Sequence, residues 1–466
     1  VLYGYDSQGR LNSLTLAKPD GTRQPLAQNL QYLPFGPLQS FDYGNGLHLG
    51  RSFDQDYRLT GQTIPGLLQS GYQYDPTGNI TQWQDLLNTG RDQLFGYDEL
   101  DRLISAEGAY GDLGYAYDAT GNRLSLTKGS ETRSYHYVPG SHRLQEILGA
   151  TTDSRGYDEA GNTIASLIGS YRYDASNRMT GFTKTGTQAE YLYNGRGERI
   201  QKNVNGTITR YRYGENGELL GEYDAQGEVI REYVYLEGQP LALVTPALAG
   251  VYYLHTDHLG AVVKATDSSQ ALVWDAIRRP FGQKSVTTAR IEMPLGFPGQ
   301  YFDEETGNFY NYFRTYDPST GRYLESDPIG LDGGFNTYAY VGNNPLSYID
   351  PLGYARHGGQ TGQWWEYTDR NFQRWFHQCV KQRGDPDASR EDLAEAYAEW
   401  VQLGKPNGKN GCGGPPPTPE PEPEPEPSPS PGCGENCQQV VKAVRNAAGV
   451  IIFILITVCT GGAATT

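Results

Sequence analysis

Residues 115–124 read Tyr115-Ala116-Tyr117-Asp118-Ala119-Thr120-Gly121-Asn122-Arg123-Leu124, and their reading decides the fold. Tyr115 and Tyr117 are two apart, so on a strand they share one face. Asp118 ends that strand, because a carboxylate there can accept backbone N–H groups two residues on. Gly121 supplies the positive φ that a short hairpin loop needs. Asn122-Arg123-Leu124 begin a return strand. The unit is strand, turn, strand.

The unit recurs. Copies stand at Tyr74-Asp75 with Gly78-Asn79, Tyr97-Asp98 with Asp101-Arg102-Leu103, Tyr157-Asp158 with Gly161-Asn162, and Tyr173-Asp174 with Asn177-Arg178. Weaker copies follow at Tyr193-Asn194 and Tyr213-Gly214. From Tyr97 the anchor tyrosines fall at 117, 137, 157, 173, 193, 213 and 235, most of them 20 apart. A lone hairpin is unstable in water. Stacked hairpins gain cross-strand tyrosine ladders worth roughly 0.2–1 kcal/mol per pair. A long antiparallel sheet must hide its edges, so it should coil or close. Independent hairpins or a propeller are the alternatives, and propeller blades need about 40–50 residues per repeat.

Composition agrees with a turn-rich β protein: 36 Tyr and 59 Gly in 466 residues. That length would allow two to four ordinary domains, but a repeat array need not divide so. The formal charge is −16, and up to Tyr354 there are 28 Lys and Arg against 41 Asp and Glu. Such a surface repels phosphate backbones, so no nucleic-acid binding is expected of this part. Every Cys lies at 379 or beyond, so the repeats do not rely on disulfides. Val1 opens inside a repeat with no signal-peptide pattern, which reads as the C-terminal part of something longer.

The Tyr-Asp-x-x-Gly-Asn-Arg-Leu repeats resemble the YD repeats of the Rhs polymorphic-toxin family over residues 1–354. The resemblance implies a mainly β chain whose hairpins wind into a spiral forming part of a hollow shell, a cocoon. It also implies boundaries: YD repeats at 1–250, the Rhs repeat-associated core domain at 251–354, and a variable tip after it. Tyr252 to Gly260 resembles the segment just before that core. His255 and His258 flank Asp257 there, but i, i+3 histidines suit a metal on a helix better than in this β context, and a solvated turn is expected. No metal or cofactor is assigned.

Residues 311–354 carry the candidate chemistry: NYFRTYDPSTGRYLESDPIGLDGGFNTYAYVGNNPLSYIDPLGY. Two Asp-Pro-x-Gly elements lie in it, at Asp327–Gly330 and Asp350–Gly353. Peptide hydrolysis by carboxylates needs one ionised group to activate water and one protonated group to donate to the carbonyl. Two carboxylates held close cannot both ionise cheaply, so they share protons. Proline after each Asp fixes a turn and removes a competing donor. Asp-Pro-x-Gly is also a common turn former, and from spacing alone the aspartates would only cap turns. Arg314, Tyr316-Asp317-Pro318, Gly321-Arg322-Tyr323, Ser326-Asp327-Pro328, Asn343-Asn344-Pro345-Leu346 and Asp350 to Gly353 resemble the end of the Rhs core domain. That resemblance implies an intramolecular aspartyl protease: Asp327 and Asp350 as the carboxylate pair, Arg314 as their cation, and Tyr354–Ala355 as the bond cut. The family usually has Leu where Tyr354 stands.

After Ala355 the Tyr-Asp repeats stop. Phe372, Trp375, Phe376, Cys379 and Val380 sit at helical spacing with Thr368 or Asp369 as cap, and a second helix is expected from Ser389 to Gly404. His377 and Cys379 read as surface and core positions. These helices belong to a tip start at 355–411. A Cys-flanked Pro/Glu linker follows at 412–437, in which Pro415–Pro431 should extend over roughly 50 Å as polyproline II. Cys412, Cys433 and Cys437 offer a weak metal signal or a disulfide after export. The tail, 438–466, ends with 20 uncharged residues, 447–466. Its apolar core of about 10 residues is short for a full membrane span, so insertion in a target membrane and burial as a helix or strand both stay open.

The resemblance implies a shell that encapsulates its C-terminal tip and releases it after self-cleavage. It implies export from a bacterial cell, by type VI secretion or as a toxin-complex component, and a cognate immunity protein. The alternative is a cell-surface or wall-associated YD-repeat protein for carbohydrate binding or cell contact.

Overall fold

The computed structural model describes residues 1–354 other than Pro19, Phe35 and 247–249, then 356–358, and the backbone of Cys437–Arg445 and Ile451–Cys459. The two expected tip helices, His377, Cys379, Cys412, Cys433 and the Pro415–Pro431 linker lie outside these residues.

Fifteen strands run in sequence order from Leu2–Tyr5 to Asp153–Ser154, and fourteen more from Gly156–Tyr157 to Lys284–Ala289. Each pairs antiparallel with its sequence neighbours, so both sheets are meanders built from hairpins alone. The turns work as their chemistry requires. Asp118 Oδ1 accepts N–H bonds from Thr120 at 2.8 Å and Asn122 at 2.9 Å. Asp75 and Asp174 hold their own i+2 and i+4 amides in the same way. Gly121 has φ +82°, and Asp101 and Asn177 take the left-handed place in turns that lack the glycine.

The second tyrosine of several pairs does more than pack. The Tyr117 hydroxyl donates to the Leu103 carbonyl at 3.0 Å, Tyr137 to Arg123 at 2.9 Å, Tyr193 to Met179 at 2.6 Å and Tyr213 to Arg199 at 3.0 Å. Each ties its own strand to the return strand of the repeat before it. A hydrogen bond of this kind contributes about 0.5–1.5 kcal/mol net.

The second meander returns to the first strands of the first. Tyr43 donates to the Leu254 carbonyl, Gln62 to the Thr256 carbonyl, and Arg91 grips Asp275 with two bonds at 2.9 and 2.6 Å. Leu14, Leu26 and Ile64 share one core with Val234, Leu241 and Val251. The meanders part at Arg155. Its buried guanidinium bonds Asp153 at 3.0 Å and Asp317 at 2.8 Å, bridging the seam to the segment that follows the meanders.

After the second meander comes a four-stranded sheet: Tyr301–Asp303, Asn308–Asn311, Arg314–Asp317 and Arg322–Tyr323. The stretch after it is fastened to the repeat turns. Asn336 bonds Asn122 at 2.9 Å, Asn343 bonds the Gly121 carbonyl at 3.0 Å, Asn344 bonds Asn79 at 2.8 Å and Tyr338 bonds the Gly161 carbonyl at 2.7 Å. The Gly-Asn of the turn thus shapes the hairpin and also seats the core.

The solvated-turn expectation for the two histidines does not hold. His255 is fully buried on strand Gly250–Thr256, bonded to Thr266 at 2.9 Å, and burial pushes its imidazole down to about 3. His258 lies in the following turn with Nε2 on the Leu346 carbonyl at 2.9 Å. Leu346 and Tyr72, both distant in sequence, pack on this turn, and the local residues alone do not reveal them.

Residues 412–466 form a separate unit. There Cys437–Arg445 pairs antiparallel with Ile451–Cys459, Cys437 opposite Cys459. The apolar stretch is therefore a strand. Among the described residues no helix is long and apolar enough to cross a membrane.

Candidate active site

Arg314, Asp327 and Asp350, distant in sequence, converge on one buried point. Arg314 starts its strand directly after the two-residue turn Tyr312–Phe313, with Asn311 paired to Arg314. Asp327 is positioned by its own N–H on the Thr337 carbonyl at 2.8 Å and heads the turn that closes at Gly330. Asp350 follows strand Tyr348–Ile349, which pairs with His357–Gly358. The proposed cut therefore lies in a short loop closed by that pairing. Ala355 lies outside the described residues.

One guanidinium nitrogen joins the carboxylates. Arg314 Nη2 lies 2.9 Å from Asp327 Oδ2 and 3.1 Å from Asp350 Oδ2, so those oxygens are at most about 6 Å apart. All three side chains are nearly solvent-free, 3% exposed. Burying charges without partners costs several kcal/mol each, and here the cation is shared. Arg314 is itself held: Nη1 donates to the Thr337 carbonyl at 3.1 Å, Nε donates to the Gly353 carbonyl, and the guanidinium sits 3.6 Å over the Tyr323 ring.

The two carboxylates have different surroundings. Asp350 Oδ2 accepts the Tyr323 hydroxyl at 2.7 Å and Oδ1 accepts the Tyr354 N–H at 2.9 Å. Asp327 has two donors, the Ile329 N–H at 3.1 Å on Oδ1 and Arg314 at 2.9 Å on Oδ2. Burial pushes its carboxyl up to about 6, against the pull of Arg314, with Asp350 adding to the rise. Asp327 can thus hold a proton near neutrality beside Asp350.

The Leu352–Tyr354 backbone is threaded through this site. The Phe313 N–H donates to the Leu352 carbonyl at 3.2 Å, Arg314 holds the Gly353 carbonyl, and Asp350 holds the Tyr354 amide. Gly353 has φ +70°, and a Cβ there would fall 2.5 Å from the Asn311 carbonyl. Gly333 is needed for space: a Cβ would lie 2.3 Å from Asp327 Oδ2 and 2.9 Å from the Tyr354 carbonyl oxygen. Those two oxygens are therefore within about 5 Å of each other.

The structure brings together Arg314, Asp327, Asp350 and Tyr354. Sequence reasoning missed the roles of Tyr323 and Asn311. Asn311 Nδ2 bonds the Tyr323 hydroxyl at 2.8 Å and the Asp350 carbonyl at 2.9 Å. Both lie in the motif-bearing stretch, but their partner is Asp350, about 30 to 40 residues away, and nothing local signals that contact. Among the described residues no three His, Cys, Asp or Glu side chains converge as a metal site.

Comparison with known proteins identifies the architecture. The family model described as teneurin YD-shell matches residues 50–346, well over half of the chain. The chain belongs to the YD-shell family. Among relatives of this YD-shell, the double-stranded DNA deaminase toxin A of Burkholderia cenocepacia (strain H111) is 43% identical over 112 residues, 23% of this chain and 8% of the toxin. The toxin protein Tse5 of Pseudomonas aeruginosa is 43% identical over 129 residues, 27% of this chain and 10% of Tse5. The YD-shell described here thus spans a tenth or less of these relatives' length. The Photorhabdus luminescens Tc holotoxin pore shares the fold, with TM-score 0.60, 21% identity, and coverage of 76% of this chain and 20% of that one. The expected Rhs/YD-repeat shell family and its β architecture are therefore established.

Proposed function

We propose that this YD-shell cuts its own chain after Tyr354 by carboxylate-assisted hydrolysis, separating a shell from a C-terminal effector. The observation that carries the reading is the single Arg314 nitrogen bonded to both Asp327 and Asp350, beside the Tyr354 backbone. Water adds to the Tyr354 carbonyl carbon as the Asp350 carboxylate takes a water proton. Protonated Asp327, close to the Tyr354 carbonyl oxygen, gives its proton to that oxygen. The tetrahedral centre then collapses: Asp350 gives the proton it took to the leaving nitrogen, Asp327 takes back a hydroxyl proton, the bond to Ala355 breaks, and a carboxylic acid and a free amine result.

The toxin names of the relatives support an effector role for the segment after Ala355, exported and carried in or beside the shell. In this reading residues 1–250 are the repeats, 251–354 the cutting core, and the tip carries the activity. A cognate immunity protein, delivery by type VI secretion or as a toxin-complex component, and membrane contact by residues 447–466 complete it. Mass spectrometry of the purified chain should find one fragment ending at Tyr354 and another starting at Ala355. Asp327→Asn and Asp350→Asn should stay intact; equal cutting in both would overturn the assignment.

A further inference from the structure

We propose that Phe313 is the floor of a side-chain subsite that selects an aromatic residue at position 354, the residue whose carbonyl is cut. The proposal rests on the self-cleavage reading and deepens it. The Phe313 and Tyr354 rings lie face to face, centroids 4.1 Å apart and planes 14° from parallel. The same segments are held together by two contacts, the Phe313 N–H on the Leu352 carbonyl and Arg314 Nε on the Gly353 carbonyl, so the stack is in register with the bond to be cut.

Phe313 cannot easily give way. It is the second residue of the two-residue turn before Arg314, so its position and that of the catalytic cation are set by the same turn. Tyr312, the first turn residue, holds φ +61°, a costly conformation for an aromatic residue, and its hydroxyl is tied to Glu198 at 2.8 Å. The Tyr312 ring packs on Phe313 with centroids 4.8 Å apart. On another side the repeat turn closes in: a Cβ at Gly197 would come 2.7 Å from Phe313 Cε1. Tyr354 stacks on one ring face. A flat ring there keeps its stacking in the reacting geometry; a branched aliphatic side chain fills space but has no π-face, and alanine leaves a gap. The tyrosine that departs from the usual Leu is thus matched to its own subsite.

The test uses the full chain made by cell-free synthesis, following loss of the intact band with time. Tyr354→Phe should cut at the parent rate, Tyr354→Leu about three- to tenfold more slowly, and Tyr354→Ala more slowly still. In a Phe313→Leu background the preference should collapse, so that adding Tyr354→Leu changes the rate less than twofold. Thermal unfolding of each variant checks folding. Equal rates for Tyr354→Phe, Tyr354→Leu and Tyr354→Ala, or an unchanged preference after Phe313→Leu, would overturn the subsite. If Phe313→Leu does not fold, the three Tyr354 variants decide alone. A parent chain that stays whole, or an Asp327→Asn chain that is still cut, would remove the cleavage reading and the subsite with it.

Discussion

The Tyr323 hydroxyl donates to Asp350 Oδ2 at 2.7 Å while the Tyr323 ring lies beneath the Arg314 guanidinium. One side chain therefore supports both the carboxylate and the cation that serves it. Tyr323 is a positioning residue.

Tyr323→Phe separates the two supports. It keeps the ring under Arg314 and removes the donor to Asp350 and the acceptor for Asn311. A hydrogen bond to a charged group contributes about 1.5–3 kcal/mol. Cutting should slow at least tenfold in a timed synthesis assay. The Tyr323→Leu chain should slow further and also lose thermal stability, because the cation then loses its ring.

The pH dependence follows from Asp327. Its folded carboxyl is raised to about 6 from an ordinary 3.8. Between those values the folded chain holds a proton that the unfolded chain has lost. This group's contribution to stability therefore declines as pH rises through about 4 to 6 and is level above. Its protonated fraction also falls about tenfold per unit above pH 6. Cutting by the parent should slow across pH 6.5–8 with that slope. A rate rising over the same range would remove Asp327 as the acid.

The seam gives a prediction independent of catalysis. Burial alone would raise the Asp317 carboxyl, but the Arg155 charge overrides it and holds the group below the usual carboxylate range. That stability is present above the unfolded value near 3.9 and is lost as pH falls through the folded value. Arg155→Met leaves Asp317 buried without its main cation and should cost about 3–5 kcal/mol at pH 7. Denaturant unfolding should show the loss at pH 7 and a smaller difference near pH 3. Adding Asp317→Asn should restore part of it.

Most of the fold was legible because its signals are local. Tyr-x-Tyr faces, Asp caps and left-handed glycines recur within each hairpin, and every strand in the two meanders pairs with its sequence neighbours. The tyrosine hydroxyl bonds were not legible. They cross from one repeat to the previous return strand, and only the stacked sheet sets that distance. The buried state of His255 was misread for the same reason: a polar Thr-Asp turn sits beside it in sequence, and the core that covers it comes from elsewhere.

The site divides along the same line. Sequence alone determined its parts: Arg314, two Asp-Pro-x-Gly turns with Asp327 and Asp350, and Tyr354 at the end of the repeats. A turn motif is complete within a few residues, so the two turns can be read there, whereas the roles of Asp327, Asp350 and Arg314 came from the family resemblance. Only the tertiary structure decided that one Arg314 nitrogen serves both carboxylates, that Tyr323 and Asn311 brace them, and that Tyr354 lies on Phe313. Those are contacts between segments up to about 40 residues apart. Their geometry exists only once the repeat turns have seated the core and water has been excluded from it.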